Sequence, residues 1–137
     1  MKDHGRREFI LAAASAAATY ALPLHATEAP GKQMYGLIGK INVAPGQRDA
    51  VVTALLAGTR GMPGCLSYVV ALDPTDADGI WVTEAWDSQE SHHASLQLPA
   101  VQQAISQARP HIAGFGARFE TIPVGGQGLT DTDAAAY

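Results

Sequence analysis

Two apolar periods alternate along the chain, and their order limits the folds that it can adopt. Apolar residues at every second position are typical of strands, and apolar residues three or four positions apart are typical of helices. The order is strand, helix, strand, strand, helix, strand, with the strands predicted at 35–43, 65–73, 80–86 and 117–124. This order predicts an α+β, ferredoxin-like βαββαβ fold, in which helices back a four-stranded antiparallel sheet.

Each predicted helix has its own start and stop signals. The first should end at the Gly-Met-Pro-Gly of 61–64. The second should begin after Trp86, with Asp87 as N-cap and Glu90 completing a capping box, and Pro99 should break or kink it. The two apolar stripes are Val51, Val52, Leu55, Leu56 and Thr59 in the first helix, and Val101, Ile105, Ala108 and Ile112 in the second.

One face of such a sheet is covered by the helices, and the other still carries apolar residues from alternating strand positions. That surface is too large to leave in water on a domain of this size. We therefore expect a homodimer in which two sheets pack face to face.

Composition narrows the classes of partner. The 137 residues form one domain of ordinary globular composition, 47% hydrophobic and 16% charged. The net charge is -4, and no Lys/Arg cluster lies outside the extreme N-terminus, so we expect no nucleic-acid partner. Cys65 is the one cysteine, which excludes an intrachain disulfide.

The first 26 residues have the three parts of an export signal: a basic start, an uncharged apolar stretch and a small residue at the end. Arg6 and Arg7, followed by Phe9 and Ile10, resemble the twin-arginine pattern; a general secretory signal is the alternative. The apolar stretch is too short for a comfortable membrane span. We expect a periplasmic or secreted protein with no stable span in the mature chain, a domain at 34–125 and a loose tail at 126–137.

Two adjacent histidines follow the third strand, and helical geometry separates them. His92 lies four residues before Leu96, on the face expected to look toward the sheet, whereas His93 shares the polar side with Gln97. Residues one apart in a helix point about 100° away from each other. The two therefore cannot easily close on one ion, and we predict no metal site. The unperturbed pKa of a histidine suits a base at neutral pH, so His92 could act as a base. The alternative is that His92 is a structural residue whose ring is hydrogen-bonded to a backbone carbonyl.

The polar and aromatic strand residues divide between the two sheet faces. Trp86 shares a face with Glu84, and Trp81 lies on the other, so one indole should line the pocket and the other the dimer interface. Glu84 must reach solvent or pair, with Arg118 and Arg109 as candidate partners. The residues that could orient a substrate oxygen, or else be ordinary sheet residues, are Tyr68, Asn42 and Tyr35.

The segments "MYGLIGKINVAPGQRDAV", "GMPGCLSYVVALD", "TEAWDSQESHHASLQLPAV" and "RPHIAGFGARFETIPVGG" resemble the antibiotic biosynthesis monooxygenase domain family, and more narrowly its quinol monooxygenase branch. The carrying motif is a Glu-x-Trp at a strand end, then a short helix with His and Ser-Leu-x-x-Pro, here Glu84, Trp86, His92, Ser95, Leu96 and Pro99. Many members carry a histidine at the position of Ser95, so roles of that later histidine do not transfer.

The resemblance implies a dimeric α+β barrel and oxygenation of electron-rich phenols or quinols by molecular oxygen, without metal, flavin or other cofactor. On this interpretation His92 assists deprotonation of a small aromatic or quinol substrate, and the substrate-binding residues are Trp86, Trp81, Tyr68, Asn42 and Glu84. The alternative is a non-catalytic periplasmic protein that binds a small aromatic or haem-like ligand.

Overall fold

The computed structural model describes residues 33–129, and the predicted export signal and the end of the tail lie outside these residues. The strands are β1, Tyr35–Val43; β2, Cys65–Leu72; β3, Gly79–Trp86; and β4, Ile112–Thr121. The helices are α1, Arg48–Gly58; α2, Gln89–Ser95; and α3, Pro99–Ala108, followed by a 3-10 turn at Arg109–His111. The sheet is antiparallel with strand order β2-β3-β1-β4, which confirms the ferredoxin-like α+β fold.

The core lies between one face of the sheet and the helices. Ile80 and Val82 of β3 pack with Val51 and Ala54 of α1 and with Ala108 of α3. Because side chains alternate along a strand, residues 80, 82, 84 and 86 share this helix-covered face. The β1–β3 register places Leu37 opposite Glu84 and Tyr35 opposite Trp86, so the same face continues onto β1.

The other sheet face carries exposed apolar side chains. Thr83 is paired with Ile38 on one side and with Val69 on the other, and Ile38 is paired in turn with Phe119. Val69 is 50% exposed and Phe119 is 56% exposed. We call this surface, centred on Ile38, Val69, Thr83 and Phe119, the open face.

The prediction for the last strand was wrong at both ends. Residues 112–116 belong to β4, although Ile112 was predicted to lie in the preceding helix, and the strand ends at Thr121 instead of at residue 124. Pro110 cannot continue a helix, so the chain leaves the helical conformation before Ile112. The nine residues of β1 then pair with β4 almost from end to end, with register shifts between Gly39 and Ile41 and between Asn42 and Val43.

Of the two signals predicted for the helix after β3, the break at Pro99 was right and the N-cap at Asp87 was wrong. Pro99 does end the helix that follows β3, because it occupies the first turn of α3, where a missing amide hydrogen is harmless. The predicted N-cap was wrong: Ser88 caps α2, and its Oγ accepts a hydrogen bond of 3.2 Å from the backbone N–H of Ser91. Asp87 lies one residue too early, and its Oδ1 instead accepts from the Ser88 hydroxyl at 3.1 Å.

In the part of the chain that the structure describes, none of the helices has the length and apolar character needed to cross a bilayer.

Candidate active site

A tight approach between two loops positions α2 against the end of β3. Gly64, just before β2, has a φ of 78°, and its backbone O accepts a hydrogen bond of 2.9 Å from the N–H of Asp87. A Cβ at Gly64 would collide with the side chains of Ser91 and Asp87. The glycine therefore serves both a left-handed backbone and the space that α2 needs, and this fixes where His92 can point.

His92 points inward and His93 outward, as predicted. The side chain of His92 is only 12% exposed. Its ring stacks edge-on against Trp86, with centroids 5.5 Å apart, and lies 5.1 Å from the ring of Tyr35. His93 is exposed. Leu96 does not lie on the buried side with His92, because α2 already ends at Ser95, and Leu96 is 41% exposed. Leu98 packs against the core cluster that contains Trp86 instead.

Burial determines the charge state of His92. It lowers the pKa of the imidazole, and the nearby His93 and Arg118 lower it further, whereas the negative charge of Glu120 opposes them. The ring is therefore neutral at neutral pH. Its Nδ1 atom is buried and has no hydrogen-bond partner among residues 33–129. A buried nitrogen without a partner costs free energy, so the site retains an unused hydrogen-bonding group beside Trp86.

Glu84 lies beside both aromatic rings of the motif. Its Oε2 accepts a hydrogen bond of 2.7 Å from Trp86 Nε1 and lies 3.7 Å from His92 Nε2. The second distance is too long for a hydrogen bond, and with a neutral imidazole it is not an ion pair. The carboxyl group is as buried as the imidazole, at 12% exposed, and burial raises its pKa.

The arginine partners predicted for Glu84 are wrong. Arg118 pairs with Glu120 on its own strand, with 3.2 Å between Nη1 and Oε1, and the Tyr35 hydroxyl donates to the same Glu120 oxygen at 2.9 Å. The positive charge of Arg118 still acts on Glu84 from a distance and opposes the effect of burial on its pKa. Arg109 lines a different cavity.

A cavity of about 460 Å³ opens over the centre of the helix-covered face, and we call it the Glu84 cavity. Its walls are mostly apolar, and its polar groups include Glu84, Tyr68 and Arg118. Tyr68 is the cross-strand neighbour of Glu84, and burial raises its pKa, with a further contribution from the negative charge of Glu84. The phenol therefore remains a hydrogen-bond donor across the physiological range. His92 is absent from the cavity wall and lies behind Glu84.

Three predicted substrate-binding residues do not line this cavity: Trp86, which is buried in the core, and Trp81 and Asn42. Trp81 and Asn42 occupy alternate strand positions, so they lie on the open face. Trp81 Nε1 donates to Asp73 Oδ2 at 2.9 Å, and Lys40 Nζ lies 5.9 Å from its ring centroid and 3.0 Å from the same carboxylate. These contacts hold the β2–β3 hairpin together. Trp86 is thus the indole on the helix-covered face, a choice that sequence alone left open.

The sequence named Arg118 only as a candidate partner of Glu84, and its place on the cavity wall was missed. That place follows from the β1–β4 register, in which Arg118 lies directly opposite Gly39 on the helix-covered face. Within residues 33–129 no group of three or more His, Cys, Asp or Glu side chains is arranged to hold a metal ion.

Comparisons with known proteins agree with this architecture. A structure from Chloroflexus aurantiacus J-10-fl, named provisionally as an antibiotic biosynthesis monooxygenase, is 61% identical, with a TM-score of 0.69 over 71% of this chain and 99% of that one. Similarly named structures from Caulobacter crescentus CB15 and Nitrosomonas europaea are 19% and 17% identical, with TM-scores of 0.62 and 0.58. They cover 74% and 70% of this chain and 99% and 92% of their own, and at such identities they show the fold alone.

No curated protein matches the chain. The sequence pattern of the antibiotic biosynthesis monooxygenases matches residues 34–107, which include β1 to β3, α2 and the Glu-x-Trp motif. With this match and the 61% identical structure, the chain belongs to the antibiotic biosynthesis monooxygenase family.

Proposed function

We propose that this protein is a monooxygenase that oxidises a small aromatic quinol with molecular oxygen directly, without a metal, flavin or other cofactor. Membership of the family supports a monooxygenase type of reaction. The observation that carries the proposal is Glu84, a buried carboxyl group on the wall of an apolar cavity with a neutral imidazole behind it. Such a group can take a proton from a bound hydroxyl.

The first step is removal of a proton from the quinol hydroxyl. Glu84 is the group that touches the substrate, and burial raises its pKa toward that of the hydroxyl, which makes its ionised form a stronger base. Trp86 Nε1 holds the carboxylate oxygen Oε2 in place, and the ring of His92 lies 3.7 Å from the same oxygen. His92 thus assists deprotonation as a positioning residue.

The second step is electron transfer from the quinolate to molecular oxygen, which a deprotonated ring performs far more readily than a protonated one. The resulting radical pair forms a carbon–oxygen bond at the ring carbon next to the oxygen-bearing one. Loss of water from this ring hydroperoxide leaves a hydroxyquinone. One oxygen atom enters the ring, the other leaves as water, and the four electrons lost by the quinol are those that oxygen accepts, so no further reductant is needed.

Tyr68 and Arg118 fit supporting roles at the same cavity. The Tyr68 phenol stays protonated and can donate to the second substrate oxygen. The guanidinium of Arg118, which is also paired with Glu120, can offset part of the negative charge that develops on the quinolate.

The test is anaerobic loading of the purified protein with a hydroquinone, followed by ¹⁸O-labelled oxygen. One labelled atom in the product and one in water, at a rate above the protein-free control, supports the proposal. Saturable binding without oxygen uptake would contradict it and would support the ligand-binding alternative. Hydrogen peroxide in place of labelled product would show an oxidase.

On the basis of the sequence signals in residues 1–26, we propose that this segment directs the protein out of the cytoplasm by the twin-arginine route. We also propose that a second copy covers the open face and completes a dimeric α+β barrel, because Val69 and Phe119 leave a contiguous apolar surface there.

A further inference from the structure

A second cavity of about 590 Å³ lies between α1, α3 and the start of β4, and we call it the Ile105 cavity. Its wall is formed largely by aliphatic side chains, among them Leu55 of α1, Ile105 of α3 and Ile112 of β4. Arg109, which is exposed, is its one charged lining residue within residues 33–129. The cavity therefore offers apolar surface without the groups needed to bind a polar ring.

The two cavities adjoin each other at a shared pair of residues. Ile41 of β1 and Phe115 of β4 line both, and they face each other across the β1–β4 pair. Phe115 is 75% exposed, so its ring can change rotamer without disturbing the core. A bound molecule can thus extend from the Glu84 cavity past this pair into the Ile105 cavity.

The distribution of polar groups gives the ligand a direction. Glu84, Tyr68 and Arg118 are all in the first cavity, whereas the second is aliphatic up to Arg109. A compact hydroquinone would occupy only the polar end and leave the aliphatic walls in contact with water. We propose that the two cavities form one elongated site, and that the substrate is a quinol bearing an apolar side chain, with its ring beside Glu84 and its chain beside Ile105. The identity of the reactive ring rests on the proposed function, but the site for the chain does not.

The experiment measures anaerobic binding of a series of alkylhydroquinones with chains of zero, two, four and six carbons, using calorimetry. If the chain is buried in the Ile105 cavity, the dissociation constant should fall about fourfold for each methylene group until the cavity is filled. Binding without turnover keeps the readout independent of the reaction.

Two variants distinguish burial of the alkyl chain in the cavity from nonspecific binding of a more hydrophobic ligand. Ala113→Trp fills the cavity from an exposed position, and Ile105→Asn makes its wall polar; Leu56→Asn, an exposed change on α1 away from the cavity, is the matched control. Unsubstituted hydroquinone should bind all four proteins equally. The chain-length dependence should be lost in the two cavity variants and kept in the control, with circular dichroism confirming that each is folded.

A flat chain-length series in the unaltered protein would overturn the elongated site, as would a dependence that survives both cavity variants. A flat series together with normal oxygen incorporation would overturn the elongated site alone. A steep series without oxygen incorporation would instead contradict the proposed reaction and support the site.

Discussion

Oε2 of Glu84 lies 3.7 Å from Nε2 of His92 while it accepts the indole hydrogen of Trp86 at 2.7 Å. The other two side chains of the strand-end motif therefore approach the same oxygen atom of Glu84, and only Trp86 forms a hydrogen bond with it. Only Glu84 among them lines the Glu84 cavity, so the imidazole and the indole act on a ligand through the carboxyl group. Substitutions of these residues should therefore affect turnover in different ways.

Glu84→Gln should abolish most of the oxygenation, because the amide keeps the shape and the acceptor for Trp86 but cannot take a proton. Loss of a general base typically slows a reaction by about a hundredfold or more. Oxygen uptake under saturating hydroquinone measures the effect, with Glu90→Gln on the exposed side of α2 as control. An unchanged turnover number in Glu84→Gln would rule out this carboxyl group as the base.

His92→Ala and His93→Ala form a matched pair on one helix. Only the first should slow turnover, because His93 is exposed and does not line the Glu84 cavity. Removing the imidazole also admits water beside Glu84, which returns the pKa of the carboxyl group toward its ordinary value. The acid limb of the turnover profile should therefore move to lower pH in His92→Ala. A lower rate with an unmoved acid limb would indicate that the imidazole contributes packing alone.

The stability of the protein should respond to pH at Glu84. Folding raises the pKa of this carboxyl group, so the folded state holds the proton more tightly than the unfolded chain does. The stability that this provides is complete below the ordinary glutamate range and is lost as the pH rises through the raised pKa. Glu84→Gln, neutral at every pH, should raise Tm at pH 8 but not at pH 4. Scanning calorimetry tests this, and a Tm difference independent of pH would contradict it.

The open face should control association. Val69→Glu places a charge at its centre and should yield monomers in analytical ultracentrifugation. Leu56→Glu is the matched control, because Leu56 on α1 is 48% exposed and Val69 is 50% exposed. Equal sedimentation of both variants with the unaltered protein would remove the open face as the dimer interface.

The N-cap of α2 can be assigned by stability. Ser88→Ala removes the acceptor for the Ser91 amide and should lower the free energy of unfolding by about 1 kcal/mol. Asp87→Ala should cost less, because Asp87 is not the cap. Urea unfolding of both variants measures the difference, and the reverse order would restore the cap predicted from sequence.

Sequence patterning was sufficient where burial alone decides the outcome. The face shared by Glu84 and Trp86 follows from alternation in β3. The inward direction of His92 was also predicted, but from its spacing to Leu96, which lies outside α2 and is exposed.

Sequence patterning failed to predict features that depend on residues distant in the sequence. The apolar stripe of the second predicted helix extends to Ile112, yet Ile112 and the four residues after it lie in β4, because the full length of β1 is available for pairing. Arg118 could not be ranked between Glu84 and Glu120, since both carboxylates share its sheet face. The nearer one on the same strand takes the ion pair, and the difference depends on ångström distances that no periodicity records.

The brevity of α2 has a consequence for how the protein tolerates heat. Seven residues are too few for a helix to persist without its packing, and α2 depends on the close approach at Gly64 and on the cap at Ser88. The amides of α2 should therefore exchange with deuterium by local opening, at a lower free energy than those of β3. His92 is carried by this segment and Glu84 by the sheet, so warming should inactivate the protein reversibly before the sheet melts.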